Sequence, residues 1–336
     1  MDILRDGFDG LYNLIKPIVF RMSTKNSKFA HNLFVNSLRG LSVLGLDKLI
    51  LDNNSNYIKA SYEISNAAGF LKNAEINPGI MRLLGFDRVV VGTFTAYNWK
   101  GNSGRTLWRF PKSKSMVNWE GWPNIGAEEG ALKLYEYGEH EVPLTISLGP
   151  TPWKKGDAFL RDLEKTVSVF RDVPYVNRFE FDGSCLNVDK SSWSEGWRRD
   201  ALNIISREKR DWQDAYLKVS PDLSEFETDE IIRDGEEYKI KGYVISNSTA
   251  NHDSRYVDVS PGKGGGSGNM VYDLSRKVQG YFAERVKEEV DLIACGGIDS
   301  IERVRERCRI GNCKEVQVLT GMIFKGAGLL RELKEK

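Results

Sequence analysis

Residues 291–321 run Asp291-Leu-Ile-Ala-Cys-Gly-Gly-Ile-Asp-Ser300-Ile-Glu-Arg-Val-Arg-Glu-Arg-Cys-Arg-Ile310-Gly-Asn-Cys-Lys-Glu-Val-Gln-Val-Leu-Thr320-Gly321. A short β-rich run, Asp291–Cys295, ends in glycine. An amphipathic segment follows over Ser300–Arg309, and a second β-rich run over Glu315–Leu319. A strand, a crossover helix and a second strand make the unit that parallel sheets are built from. The same texture recurs upstream. Arg88-Val-Val-Val-Gly-Thr93, Pro143-Leu-Thr-Ile-Ser147, Arg178-Phe-Glu-Phe181, Ala215-Tyr-Leu-Lys-Val219 and Gly242-Tyr-Val-Ile-Ser246 are strand-like. Segments such as Phe159–Arg171 fit helices between them. Repeated units of this kind predict a parallel sheet, closed or doubly wound, and about eight of them favour the closed form. The expected fold is therefore α/β, a (β/α)8 TIM barrel over residues 46–336.

The first 45 residues have a different pattern. Leu11, Leu14, Ile15, Ile18, Val19 and Met22 recur at helical steps broken by Pro17, and Phe29, Leu33, Phe34, Leu38, Leu41 and Leu44 do the same. Two short amphipathic helices are expected, forming a small N-terminal extension over 1–45. They form either a cap on the barrel or a surface that meets a bilayer or a hydrophobic electron carrier.

Bulk composition narrows the function classes. The 336 residues are 40% apolar and 28% charged, as in an ordinary globular protein. Lys plus Arg is 48 against 47 for Asp plus Glu, so there is no basic excess of the kind nucleic-acid binders show. Four cysteines are too few for a disulfide scaffold and point to a reducing compartment. Cys308 and Cys313 flank a turn and could form half of a metal site, but no second pair follows and His31, His140 and His252 are scattered, so no metal is expected. No run approaches a membrane span, and Asp2, Asp6 and Asp9 stand where a signal peptide would be basic. A cytoplasmic location is expected, with peripheral contact on the inner face of a membrane if residues 1–45 supply it.

In a barrel the active site gathers at the C-terminal ends of the strands. Three glycine-rich signals lie late in the chain: Gly262-Lys-Gly-Gly-Gly-Ser-Gly268, Cys295-Gly-Gly-Ile298 and Thr320-Gly321. Bare amides there form an anion site, and phosphate commonly binds after the last two strands. Lys218 sits inside an otherwise apolar strand. It either turns inward to an anionic or electron-rich partner, or points outward or pairs with a carboxylate. Lys72 lies in a small-residue loop, Asn66–Glu75. Cys185, in Asp182-Gly-Ser-Cys-Leu-Asn187, is a base or nucleophile if its surroundings favour the thiolate, and inert packing otherwise. Asn118, Asn124 and Asn247 carry amides able to read a heterocycle or cap a turn.

Together, residues from about 7 to 335 resemble the dihydroorotate dehydrogenase family in motif order and spacing. Ala67-Ala-Gly-Phe-Leu-Lys-Asn-Ala-Glu75 is similar to the family's AAGFDKN(A/G)E loop, and Gly92-Thr-Phe-Thr95 to GTVT. Val117-Asn-Trp-Glu-Gly-Trp-Pro-Asn124 is similar to INxMGxxN, and Lys218-Val-Ser-Pro-Asp-Leu223 to KIAPDL. Gly242–Thr249, Gly264–Gly268, Cys295–Ile298 and Val316–Gly321 are similar to GVIATNTT, GGLSG, VGGI and VQLYTG.

The resemblance implies FMN and a dihydroorotate-like substrate. It implies flavin contacts from Ala68, Gly69, Lys72, Thr93, Ser147, Asp182, Lys218, Ser246 and Leu319, with Gly268, Gly297 and Thr320 on the phosphate. It implies substrate contacts from Lys72, Asn118, Gly121, Trp122, Asn187, Asn247 and Ser248. Cys185 falls on the family's base position, where it would remove the C5 proton while a hydride leaves C6 for flavin N5. The N-terminal helices, with Phe29-Ala-His-Asn-Leu33, resemble the membrane-associated, quinone-linked class. The cysteine and Gly121-Trp-Pro-Asn124 resemble the cytosolic class.

Departures cluster at the expected site. Asp182 and Ser147 stand where the family has Asn, Glu120 where it has Met, Leu71 where it has Asp, and Leu186 where it has Pro. Added carboxylates repel an anionic substrate unless they are neutralised, paired with a cation, or facing a different ring. A flavin oxidoreductase of the same fold acting on another small cyclic substrate is therefore the alternative, and a flavin-free barrel the more distant one.

Overall fold

A computed structural model describes residues 61–334 except 155 and 190–195, together with the single positions 10 and 36. The helices expected over 1–45 lie outside the described residues, apart from Gly10 and Asn36, both helical.

The described strands are β1 (Glu63–Asn66), β2 (Val89–Phe94), β3 (Leu107–Phe110), β4 (Ser115–Asn118), β5 (Leu144–Leu148), β6 (Val176–Phe181), β7 (Asp214–Val219), β8 (Gly242–Ile245), β9 (Gly265–Gly268), β10 (Asp291–Cys295) and β11 (Cys313–Val318). Eight of them pair in parallel in the order β1-β11-β10-β8-β7-β6-β5-β2. The ring closes where Ser65 bridges Arg88 and the Asn66 amide bonds Val90 N and O at 3.1 and 2.6 Å. This is the expected (β/α)8 barrel, with each strand seen in the sequence shifted by no more than two residues at either end.

The helices within residues 61–334 are, among the described residues, α1 (Pro78–Leu84), α2 (Ala127–Glu136), α3 (Asp157–Phe170), α4 (Trp197–Glu208), α5 (Glu225–Glu237), α6 (Asn269–Ala283), α7 (Ile301–Cys308), α8 (Thr320–Lys325) and α9 (Gly328–Lys334). Their starts and stops are written locally. Ser224 and Glu227 form a reciprocal capping box on α5, and Asn77 caps α1 ahead of Pro78. Gly85, at φ +115°, turns the chain out of α1, a conformation that a side chain would strain.

Strand alternation sorts the side chains. Outward residues such as Phe179, Phe181, Leu217 and Val316 join the helices in the main apolar core. Inward residues are strongly polar at the N-terminal end of the barrel. Glu315 takes bonds from Ser65 and Arg178 and lies 3.5 Å from Arg88. Tyr216 sits under Arg178 at 4.2 Å and donates to Asp291 at 2.8 Å. Burial alone would raise the Glu315 pKa, but Arg178 and Arg88 outweigh it and hold this carboxyl below the ordinary range.

One element departs from expectation. Gly262–Gly268 reads as a turn, yet Gly265–Gly268 is β9, antiparallel to β4, which also pairs with β3. Four residues without bulk carry no strand signal of their own; the β4 ladder imposes the conformation. This small sheet lies at the C-terminal mouth of the barrel, beside the end of β11.

Candidate active site

The loop after β1 folds back onto the end of β2. Gly69 N donates to Gly92 O at 2.8 Å and Gly92 N to Leu71 O at 2.7 Å. This sets Ala68, Gly69 and Lys72 beside Thr93. Thr93 Oγ1 lies 2.9 Å from Ser147 Oγ on β5 and 3.5 Å from Asp182 Oδ2 just past β6. The Asp182 carboxyl also accepts from Trp122 Nε1 at 3.0 Å and from Asn247 Nδ2 at 2.7 Å. Three strand ends and the Trp122 loop thus converge on one carboxyl, and Ser147 reaches it through Thr93.

Trp122 is held at φ +58° with its ring over Gly149, where a Cβ would lie 2.6 Å from the indole. Cys185 packs against this indole and Val188, buried. Its neighbour Ser184 is otherwise engaged, donating to Lys218 O at 2.9 Å and accepting from Asn247 Nδ2 at 3.1 Å. Asn187 Nδ2 donates to Asn118 Oδ1. Ser248 stands against Gly265, where a Cβ would overlap its hydroxyl at 1.9 Å. Gly121 O accepts from Trp99 Nε1 at 2.7 Å, and Asn102 Nδ2 ties this loop to Asn187 O at 2.8 Å.

Lys218 turns inward and is 4% exposed. Its ammonium meets Glu180 at 3.2 Å, and Gln317 Nε2 donates to the other Glu180 oxygen at 2.9 Å. Burial pulls the ammonium pKa down, but the Glu180 charge overcomes this and raises it, so Lys218 is a cation. The inward orientation and the carboxylate partner, alternatives in the sequence, both hold. Above this pair Ala67, Cys295 and Leu319 form an apolar interior patch, and Ser246 N donates to Cys295 O at 2.6 Å.

At the closing strands three glycine segments meet. A Cβ on Gly268 (φ +78°) would lie 2.2 Å from Lys114 O and 2.9 Å from Thr320 Cγ2. One on Gly297 (φ +75°) would lie 2.7 Å from Gly268 O, and one on Gly321 2.6 Å from Ile298 O. Only bare backbone fits such an approach. The first bond inside α8 runs from Ile323 N to Leu319 O, so the amides of Thr320, Gly321 and Met322 have no acceptor within the helix. Arg303 closes the cradle, donating to Gly297 O and Asn269 Oδ1, each at 2.6 Å. Bared amides beside a guanidinium suit a phosphate group, so these residues fit the phosphate end of the expected flavin.

The family model for dihydroorotate dehydrogenase matches residues 54–336. The chain belongs to the dihydroorotate dehydrogenase family. It is a dihydroorotate dehydrogenase-like oxidoreductase. Curated relatives named dihydroorotate dehydrogenase (quinone) include one from Idiomarina loihiensis, 26% identical over 96% of this chain and 99% of the relative. One from Natronomonas pharaonis is 27% identical over 96% and 93%, and one from Brucella abortus 29% over 82% and 77%. Among solved structures, ligand-free dihydroorotate dehydrogenase from Eimeria tenella superposes with TM-score 0.74 at 22% identity over 92% of this chain and 93% of that one. The same enzyme in complex with ferulenol gives TM-score 0.74 at 21% identity over 90% and 89%.

Within this dihydroorotate dehydrogenase framework, the expected site residues all lie at the C-terminal mouth. Glu180, Gln317, Arg303 and Asn102 were not singled out in the sequence. The alternation of charged and aromatic residues in Arg-Phe-Glu-Phe was the available signal for Glu180. The remaining three become legible only through contacts between distant segments. Cys308 and Cys313 sit away from the mouth with thiols 3.5 Å apart, and no group of three or more metal-ligating side chains gathers among the described residues.

Proposed function

We propose that this chain holds FMN and oxidises a dihydropyrimidine-type ring, dihydroorotate to orotate being the reaction its relatives' name points to, with a quinone as acceptor. The glycine cradle of Gly268, Gly297 and Thr320 carries this reading, because it is built for a phosphate where a flavin would end. When bound, FMN supplies the two-electron acceptor at N5. Lys218 would place its charge at the edge of the flavin ring system, which Ala68, Gly69, Thr93, Ser147, Asp182, Ser246 and Leu319 would frame. Asn118, Asn187, Asn247 and Ser248 orient the substrate through its amides, with Lys72, Gly121 and Trp122 closing over it. Cys185 Sγ takes the C5 proton as the hydride leaves C6, so the ring gains a C5=C6 double bond.

The test is anaerobic flavin reduction. Cys185→Ala is expected to stay yellow while substrate-driven bleaching slows by about 10²–10⁴-fold. Normal bleaching removes Cys185 from the role of base, and absence of flavin bands after FMN addition removes the cofactor. The same reaction on a different small ring is favoured by one observation, the pairing of Lys72 with Glu120. The amphipathic pattern over 1–45 supports peripheral membrane contact on the inner face and access to the quinone; co-sedimentation of the full chain with anionic vesicles tests it. Among the described residues no helix is long and apolar enough to cross a membrane.

A further inference from the structure

Lys72 Nζ lies 2.7 and 2.6 Å from the two oxygens of Glu120, and both side chains are mostly buried, 14% and 19% exposed. Glu120 is held in place by its own backbone. Its carbonyl accepts from Asn102 N at 2.8 Å, and a Cβ on Gly101 would lie 2.4 Å from it. The backbone at Glu120 is thus held against Gly101 and Asn102, and from there its carboxylate reaches Lys72.

Both lysines at this mouth have carboxylate partners without any ligand. Lys72 is paired with Glu120 and Lys218 with Glu180, while Asp182 adds a further carboxyl that accepts from Trp122, Asn247 and Thr93. A ring bearing a carboxylate would have to expel Glu120 from Lys72 and leave it among like charges in a largely desolvated loop. Like charges brought together in such a site reject the wrong ligand without any new contact to the right one.

Asn187 is 5% exposed, and its Oδ1 has no partner among the described residues while its Nδ2 is spent on Asn118. A buried acceptor left unmade is costly, so the ligand that completes it must bring a donor. The N–H of a cyclic amide is such a donor, whether or not the ring also bears a carboxylate, so this oxygen fits the amide part of the ring.

We propose that the substrate of this site is an uncharged cyclic amide of the dihydropyrimidine type, lacking the ring carboxylate, and that Glu120 stands toward Lys72 where that carboxylate would otherwise be. This rests on the flavin-dependent ring oxidation proposed above and fixes its substrate class. The reaction keeps the same balance: one proton leaves to Cys185, one hydride leaves the adjacent carbon, and a ring double bond forms. Glu120 thereby determines specificity through Lys72.

Two readouts on the FMN-loaded full chain test this. Calorimetric titration with uracil and with orotate, the uncharged and charged oxidised rings, is expected to show uracil binding at least about tenfold tighter. Anaerobic bleaching is expected with 5,6-dihydrouracil and not with dihydroorotate at equal concentration. Glu120→Gln and Glu120→Met free Lys72, and orotate should then gain at least about tenfold in affinity. Tighter binding of orotate than uracil to the unmodified chain, or bleaching by dihydroorotate alone, overturns the substrate class and leaves the flavin chemistry standing. A chain that retains no FMN, or one that no ring bleaches, overturns both. The unmodified chain's uracil-to-orotate ratio decides the matter even if neither variant folds.

Discussion

Replacing Glu180 by Gln removes the charge opposite Lys218 while keeping the shape. Glu180 is wholly buried and Lys218 nearly so, with 3.2 Å between them. Deleting one member of such a pair strands the other charge in the interior, at a cost of roughly 3–5 kcal/mol. For a domain of this size each kcal/mol moves the melting temperature by about 2–4 °C, so a drop of roughly 6–20 °C is expected. Urea denaturation of the FMN-free protein should show the same loss. The double variant Glu180→Gln/Lys218→Met removes both charges and should recover most of it, since a neutral pair of similar volume is tolerated where a lone charge is not. The coupling between the two sites should therefore be about 3 kcal/mol in a double-mutant cycle. A single variant within 1 °C of the parent, or a double variant no more stable than Glu180→Gln alone, would refute the claim that Lys218 is a cation held by this carboxylate.

Gly268→Ala forces a Cβ to within 2.2 Å of Lys114 O at positive φ, so it should weaken FMN binding by at least about tenfold, measured by flavin fluorescence on titration. His140 is buried against Tyr175 with its pKa lowered to about 4 by burial. The unfolded chain takes up this proton near 6.5, so the stabilisation is complete above that pH and is lost as pH falls from 6.5 toward 4, about 3 kcal/mol in all. His140→Asn should flatten the stability profile across that window, and an unchanged slope there would count against the assignment. Glu315→Gln leaves Arg178 and Arg88 without their buried partner and should cost roughly 3–5 kcal/mol in urea melts. Because the Glu315 pKa is depressed, its contribution is present above the ordinary carboxylate range and disappears as pH falls through the lowered value.

The barrel was legible because its strands are short, β-rich and end in glycine or polar residues, and because the helices between them alternate apolar and charged positions. Lys218 was legible for a related reason: a cation in the middle of Ala-Tyr-Leu-Lys-Val can be inside only with a partner. The identity of that partner was not, since Arg-Phe-Glu-Phe could equally face solvent until the ring closes and sends alternate residues inward. β9 was hidden because Gly-Gly-Ser-Gly has no side-chain signature of a strand, and only pairing with β4 makes it one. The Lys72–Glu120 pair links two loops that sequence order keeps far apart. The sequence showed an unexplained carboxylate at 120, and the fold supplies its cation. The unmet Asn187 oxygen emerges only once Asn118 is seen to occupy the amide beside it.

Reconstitution with FMN followed by gel filtration and a visible spectrum, repeated after anaerobic addition of a dihydropyrimidine, tests the central claim most directly. The account predicts that flavin co-elutes with the chain and that its colour is lost when the ring is added. A colourless protein peak with all the FMN recovered in the small-molecule fraction would contradict it.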